Sequence, residues 1–281
     1  NCGGHAFATQ GLLLGPILAE FKNHRQELID SVHAILVGAL EAKDRPVPSS
    51  PLSLLITAQG GVGTAEEHTF LIEEYGMDSV GWGSPFLLVD EVTNVDEFTR
   101  SQLSAATEKD LYLSNISPIG VPFNSLRGNT KDVAKQELID KGKPGSSCPK
   151  KFLVSNTEYT DQHICTASRQ YQHLKLKELE AAGLSEEELS ERRDKVVDKS
   201  CICVGLGTSA LLINNLNTKI EGAGVSVCPG PNIAYFSDRL SLRNMVDHIY
   251  GRANVMYRPD RPNMFVKELF LYLDYLKDQI Q

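Results

Sequence analysis

The residues best suited to chemistry are two glycine-rich turns, Gly60-Gly61-Val62-Gly63 and Gly81-Trp82-Gly83-Ser84. A bound phosphate needs converging backbone N–H groups and a backbone that comes close to it, and glycine permits both. Ser84 adds a hydroxyl donor. Thr64 stands where a helix N-cap would stand, with Glu67 three residues on, so a helix N-terminus follows the first turn. Two readings stay open: a divided phosphate site, or a pair of tight strand-to-helix turns. The tandem arrangement favours the phosphate.

Other residues carry weaker signals. His5 follows Gly3-Gly4 in the opening "NCGGHAFATQG". An imidazole suits proton transfer because it titrates near neutral pH, and it equally suits holding a loop carbonyl. Cys148, Cys165, Cys201, Cys203 and Cys228 fall in the second half of the chain. If "SCICVGLG" is a strand, Cys201 and Cys203 point to one face, where thiolates could hold zinc or an iron–sulfur cluster. No Cys-x-x-Cys pair occurs, and buried thiols are ordinary, so no metal site is assigned. Gly205, Gly207 and Ala210 match the shape of a dinucleotide fingerprint. Without a second βαβ unit they read as a close-packed strand-to-helix turn. The basic stretches "RDKVVDK" and "KGKPGSSCPKK" read as solvated surface.

Elements must place these residues. "LSLLITAQ" (Leu52–Gln59) is a short apolar run bounded by turn residues, as expected of a buried parallel strand. "AEEHTFLIEEYG" is helical and closed by Gly76, and "MDSVGWG" is the next strand. The order is strand, glycine turn, helix, strand, glycine turn: a βαβ unit of a parallel sheet or barrel. Upstream, apolar spacing from Ile17 to about Lys43 predicts one long amphipathic helix, stopped by "DRPVPSSP". Downstream, "NVDEFTRSQLSAATEKD" reads as a polar helix and "LYLSNISPIGVPFNSLRGNT" as a loop with short extended pieces. A helix follows in "VAKQELIDKGKPGSSCPKK". "LSEEELSERRDKVVDK" is a surface helix with a Ser185/Glu188 capping box, and "LRNMVDHIYG" and "MFVKELFLYLDYLKDQIQ" close the chain as amphipathic helices. A boundary near residue 95 separates 1–95 from 96–281.

The 281 residues, 41% hydrophobic and 23% charged, suit a globular protein of one or two domains. A net charge of −8 argues against a nucleic-acid surface. No apolar run reaches the ~20 residues of a membrane helix. Sparse cysteines and the lack of a signal pattern lead us to expect a cytoplasmic protein with reduced thiols.

"ITAQGGVGTAEE…YGMDSVGWGSPFLLVDE" resembles the last two barrel strands of FMN-dependent nitronate monooxygenases, also called 2-nitropropane dioxygenases. Gly3-Gly4-His5 is similar to the Gly-Gly-His that this family carries beside its flavin, and "SPIGVPFNSLRG" to the loop after the barrel. The resemblance covers roughly residues 1–130. It implies an α/β fold: the C-terminal portion of a TIM-type (β/α)8 flavin barrel, then a mostly helical α+β extension in which loop 112–130 packs near the barrel mouth. It implies FMN, bound by Gly4, Gln59, Gly60, Gly61, Gly63, Thr64, Gly81, Trp82, Gly83 and Ser84, with His5 as the catalytic base. The substrate would be a small carbon acid, or an enoyl or nitronate-like compound, and the activity that of an oxidoreductase. The earlier strands would precede Asn1 or come from a partner, either another polypeptide or a second copy. The alternative is a non-catalytic barrel relic or assembly module that binds a phosphorylated ligand or a partner chain.

Overall fold

The computed structural model describes residues 13–118, 120, 122–147, 151 and 154–280. The chain is mixed α/β. Its first two helices are α1 (Leu14–Asn23) and α2 (Arg25–Glu41), where the sequence pattern predicts a single helix. The break is at His24, with φ −116° and ψ 29°. Two cations flank the break and reach the same segment, residues 74–78. Lys22 pairs with Glu74 at 3.0 Å, while Arg25 donates to the Gly76 carbonyl at 3.0 Å and to Asp78. The bend lets α1 bury Leu14 and Leu18, whereas α2 buries no residue.

The βαβ unit is present. β1 (Thr57–Gln59) and β2 (Ser79–Gly81) pair in parallel around α3 (Ala65–Glu73), with Thr57 opposite Ser79 and Gln59 opposite Gly81. Gly76 adopts φ +64° just after α3, a left-handed conformation that ends a helix at little cost for glycine. The predicted strand from Leu52 is shorter than expected. Leu52 and Leu55 are 60% and 72% exposed, and the ladder begins only after the Asp78 carboxylate accepts the Ile56 N–H at 2.7 Å. Among the described residues this is the one parallel sheet, and two strands do not close a barrel.

Beyond residue 95 come α4 (Glu97–Ala105), the antiparallel pair β3 (Leu111–Ser114) and β4 (Phe123–Leu126), and α5 (Thr130–Asp140). They are followed by α6 (Arg169–Ala181), α7 (Glu186–Asp198), α8 (Ile202–Ile213), α9 (Leu242–Ile249) and α10 (Met264–Ile280). The "SCICVGLG" stretch corrects the sequence reading. It is the start of α8, not a strand, so Cys201 is the residue before the helix and Cys203 lies in its first turn. A short apolar run does not distinguish a buried helix from a buried strand by periodicity. Gly205 and Gly207 therefore sit within a helix and not in a turn.

Two hydrophobic clusters hold the chain together. One gathers Leu88, Leu103, Leu126, Ile233, Phe236 and Met245. The other gathers Leu14, Leu18, Ala58, Leu71, Met77 and Met264. Trp82 packs against both. Among the described residues no single helix is long and apolar enough to cross a membrane.

Candidate functional site

The parallel register sets the residues after β1 beside those after β2, because neighbouring strands lie ~4.8 Å apart. Gln59, Gly60, Gly61, Gly81, Trp82, Gly83 and Ser84 line one pocket of about 220 Å³, together with Val62, Pro85 and Asn232. Gly60 and Gly61 adopt φ +106° and +81°, which side-chain-bearing residues rarely do. A β-carbon on Gly81 would stand 2.8 Å from Gln59 Cβ, while one on Gly83 would meet no atom within 4 Å. Gly81 is thus set by the strand pairing, and Gly83 opens onto free space.

Ser84 begins a short 3-10 turn, Ser84–Leu88. Its Oγ accepts the Gly230 N–H at 2.7 Å, which leaves the hydroxyl hydrogen to donate. No turn or loop backbone bond among the described residues uses the N–H of Gly61, Gly83 or Ser84. The arrangement offers donors to an anion.

Gly63 and Thr64 lie outside this pocket. The Gly63 N–H donates to Glu67 Oε2 at 2.8 Å, and a β-carbon there would stand 2.7 Å from the Arg261 guanidinium. Glycine at 63 therefore makes room for Arg261. Thr64 caps α3 through its hydroxyl, accepting the Glu67 N–H at 3.2 Å. It lines a separate pocket of about 270 Å³ with Glu66, His248 and Arg252. Glu66 and Glu67 occupy the first turn of α3 and offset the positive end of its dipole. The α3 N-terminus does not line the glycine pocket.

What stiffens the turns comes from the far end of the chain. Asn232 Nδ2 donates to the carbonyls of Gly61 and Val62 at 2.8 and 2.7 Å. Arg261 Nη2 donates to the Gly61 carbonyl at 2.6 Å, and Arg261 Nε to Asn232 Oδ1 at 3.0 Å. His248 Nε2 donates to the Gly63 carbonyl at 2.9 Å. Trp82 is held edge-on to His248, and its Nε1 donates to His68 Nδ1 at 3.0 Å. Burial pushes the His68 imidazole down from its ordinary range, in keeping with an acceptor nitrogen. Sequence reading missed Asn232, His248 and Arg261. They carry no local motif, and only the tertiary fold brings them to the turns.

Gly4 and His5 lie outside the described residues. Cys148 does too. Among the described residues no group of three or more His, Cys, Asp or Glu is placed to hold a metal ion. Another pocket, of about 940 Å³, is open and polar and is lined by residues between 146 and 170, Tyr159, His163 and Arg169 among them. It contains none of the residues singled out for cofactor binding.

No family model matches the chain, and no curated protein does. The chain is similar to the crystal structure of the enoyl reductase domain of MlnA from the macrolactin biosynthesis cluster of Bacillus amyloliquefaciens, at 15% identity and a TM-score of 0.36. The match covers 98% of this chain and 57% of that one. An overlap this loose does not transfer side-chain positions from one to the other.

Proposed function

We propose that the pocket between the two glycine turns holds the phosphate end of FMN, within an FMN-dependent oxidoreductase of the nitronate monooxygenase type. The observation that supports this is the convergence of Gly61, Gly83 and Ser84 on one small pocket that Asn232 and Arg261 brace from behind. At about 220 Å³ the pocket is below the roughly 300–1,000 Å³ of a site for a whole ligand, and it suits a phosphate. Among the described residues no lysine or arginine lines it, so an anion would be bound by N–H groups and the Ser84 hydroxyl. FMN would supply the redox chemistry. This chain would anchor and orient it, and His5 would move a proton at the substrate, a small carbon acid or an enoyl or nitronate-like compound.

The test is a titration of the full chain with FMN, followed by flavin fluorescence. Gly83→Val fills the open space in the pocket. Losing one charge-assisted hydrogen bond costs ~1.5–3 kcal/mol, or about one to two powers of ten in affinity, and the valine should cost at least that. His5→Ala should keep FMN and lose turnover. Equal FMN affinity in wild type and Gly83→Val, or no FMN uptake by the wild type, overturns the proposal. Stabilisation by inorganic phosphate without FMN uptake would support a non-redox module for a phosphorylated ligand.

A further inference from the structure

A second concave surface lies far along the chain from the glycine turns. α6 and the segments ending α5 and α7 border a groove of about 690 Å³. Lys143, Arg169, His173, Lys177 and Arg193 line it, with Glu180 the one acidic residue of the lining. Leu176 and Val197 give it an apolar part. The two basic stretches that read as separate solvated surface are thereby joined: Lys143 comes from one and Arg193 from the other.

The pairing pattern is uneven. Neighbouring lysines on the same helices are neutralised: Lys141 by Glu137 at 3.3 Å, Lys175 by Glu158 and Glu178 at 2.8 and 2.9 Å, and Lys195 by Glu191 at 2.5 Å. Among the described residues, Lys143, Arg169, Lys177 and Arg193 form no ion pair. Arg169, His173 and Lys177 are spaced four apart along α6, so they stack on one helix face. Among the described residues no carboxylate pairs with Arg169 or Lys177 along this face, and Lys143 and Arg193 reach the same groove from other segments. A chain of net charge −8 has acids to spare, yet it leaves these cations facing one another across a groove. An anion in the groove would turn that repulsion into attraction.

We propose that this groove binds a phosphate monoester carried on an apolar body, with the cations on the phosphate and Leu176 and Val197 against the body. The volume fits one small molecule. The contacts are solvent-exposed, so affinity should weaken as salt shortens the Debye length.

Isothermal titration of the full chain with dodecyl phosphate, kept below its micelle concentration, tests this. Dodecyl maltoside serves as the phosphate-free control, and inorganic phosphate serves as the headgroup alone. The expected result is saturable binding of dodecyl phosphate that is at least tenfold weaker for inorganic phosphate and absent for the maltoside. Lys177→Gln with Arg193→Gln should weaken it by about tenfold or more, with the melting temperature unchanged or raised. Equal affinity in wild type and the double variant overturns the proposal, as does no binding in the wild type. Phosphatidylcholine vesicles with and without phosphatidic acid separate the sources of the phosphate. Retention on the phosphatidic acid vesicles without binding of dodecyl phosphate overturns the soluble ligand in favour of a lipid surface. Because the glycine pocket is itself proposed to take a phosphate, the loss of binding in the Lys177 and Arg193 double variant, whose residues line only the groove, is the arm that separates the two sites.

Discussion

Arg261 and Glu67, 194 residues apart, meet as two forks, with Nη1 2.7 Å from Oε1 and Nη2 3.0 Å from Oε2. Their side chains are 2% and 5% exposed. The carboxylate also accepts the N–H of Gly63 at 2.8 Å and of Met264 at 2.7 Å. The guanidinium also holds the Gly61 carbonyl and Asn232. One buried pair thus joins the first glycine turn to the start of α10. Burying two charges is costly, and the pair is tolerated because nearly every donor and acceptor is used.

Arg261→Met should therefore destabilise the protein by about 3–5 kcal/mol, the usual cost of leaving one buried charge without its partner. Urea unfolding measures it. Adding Glu67→Leu should not restore stability. It removes the acceptor for the Gly63 and Met264 N–H groups, each costing ~1–3 kcal/mol when buried unsatisfied. A double variant as stable as wild type would show that the carboxylate is not the hub of this junction.

Glu108 sets part of the acid limit. Burial pushes its carboxyl up, but Lys267 and Tyr235 hydrogen-bond it and Arg258 lies nearby, so the net direction is down. The folded state then binds this proton less readily than the unfolded chain, and stability rises with pH across the window below about 4.3, the ordinary glutamate value. The contribution is present above that value and is lost as pH falls through the lower folded pKa. Glu108→Gln should flatten the stability profile between about pH 4.3 and the acid transition. An unchanged slope in chemical denaturation from pH 3 to 6 counts against the Lys267 and Tyr235 contacts.

Lys131 shifts in the same direction, but here it is the charged form that burial disfavours. It is 7% exposed on α5, and burial pushes its ammonium down, with only Cys201 pushing back. The unfolded chain holds this proton more tightly, so wild-type stability should rise with pH from the lowered folded pKa toward about 10.4. Lys131→Met keeps the length without the charge. It should raise the urea midpoint at pH 7, with the gain shrinking as the pH approaches 10. A methionine variant that is less stable at pH 7 would mean that the ammonium has a strong partner.

How far the sequence could be read is shown by its two capping boxes. Ser185 and Glu188 close theirs within α7 itself: Ser185 Oγ accepts the Glu188 N–H at 3.3 Å, and the Glu188 carboxylate accepts the Ser185 N–H at 3.2 Å. Thr64 and Glu67 have the same pattern but close only half. Thr64 caps, while the Glu67 carboxylate turns to Gly63, Met264 and Arg261. Local pattern placed both helices. It carried no information about a partner 194 residues away. The same holds for the glycine pocket, where Gln59 through Gly61 and Gly81 through Ser84 were legible and Asn232 was not.

Gly205 and Gly207 give the sharpest contrast between pattern and packing. Read together as Gly-x-Gly they suggest a turn, but both lie in α8. A β-carbon on Gly205 would clash with Ser226 Oγ and stand 3.2 Å from Ser226 N, whereas one on Gly207 would meet no atom within 4 Å. The helix backbone touches the Ser226 segment at Gly205, and the Ser226 N–H donates to the Gly205 carbonyl at 3.3 Å. Gly205→Ala should thus cost about 1–3 kcal/mol through overpacking. Gly207→Ala, free of contact in a helix interior, should stabilise by ~0.5–1 kcal/mol through lower backbone entropy in the unfolded chain. Ser226→Gly should recover part of the Gly205→Ala loss, since the hydroxyl is the nearest obstacle and the backbone nitrogen remains. Three thermal melts against wild type decide it. Two alanine variants with effects of the same sign would show that α8 does not approach the Ser226 segment in this way.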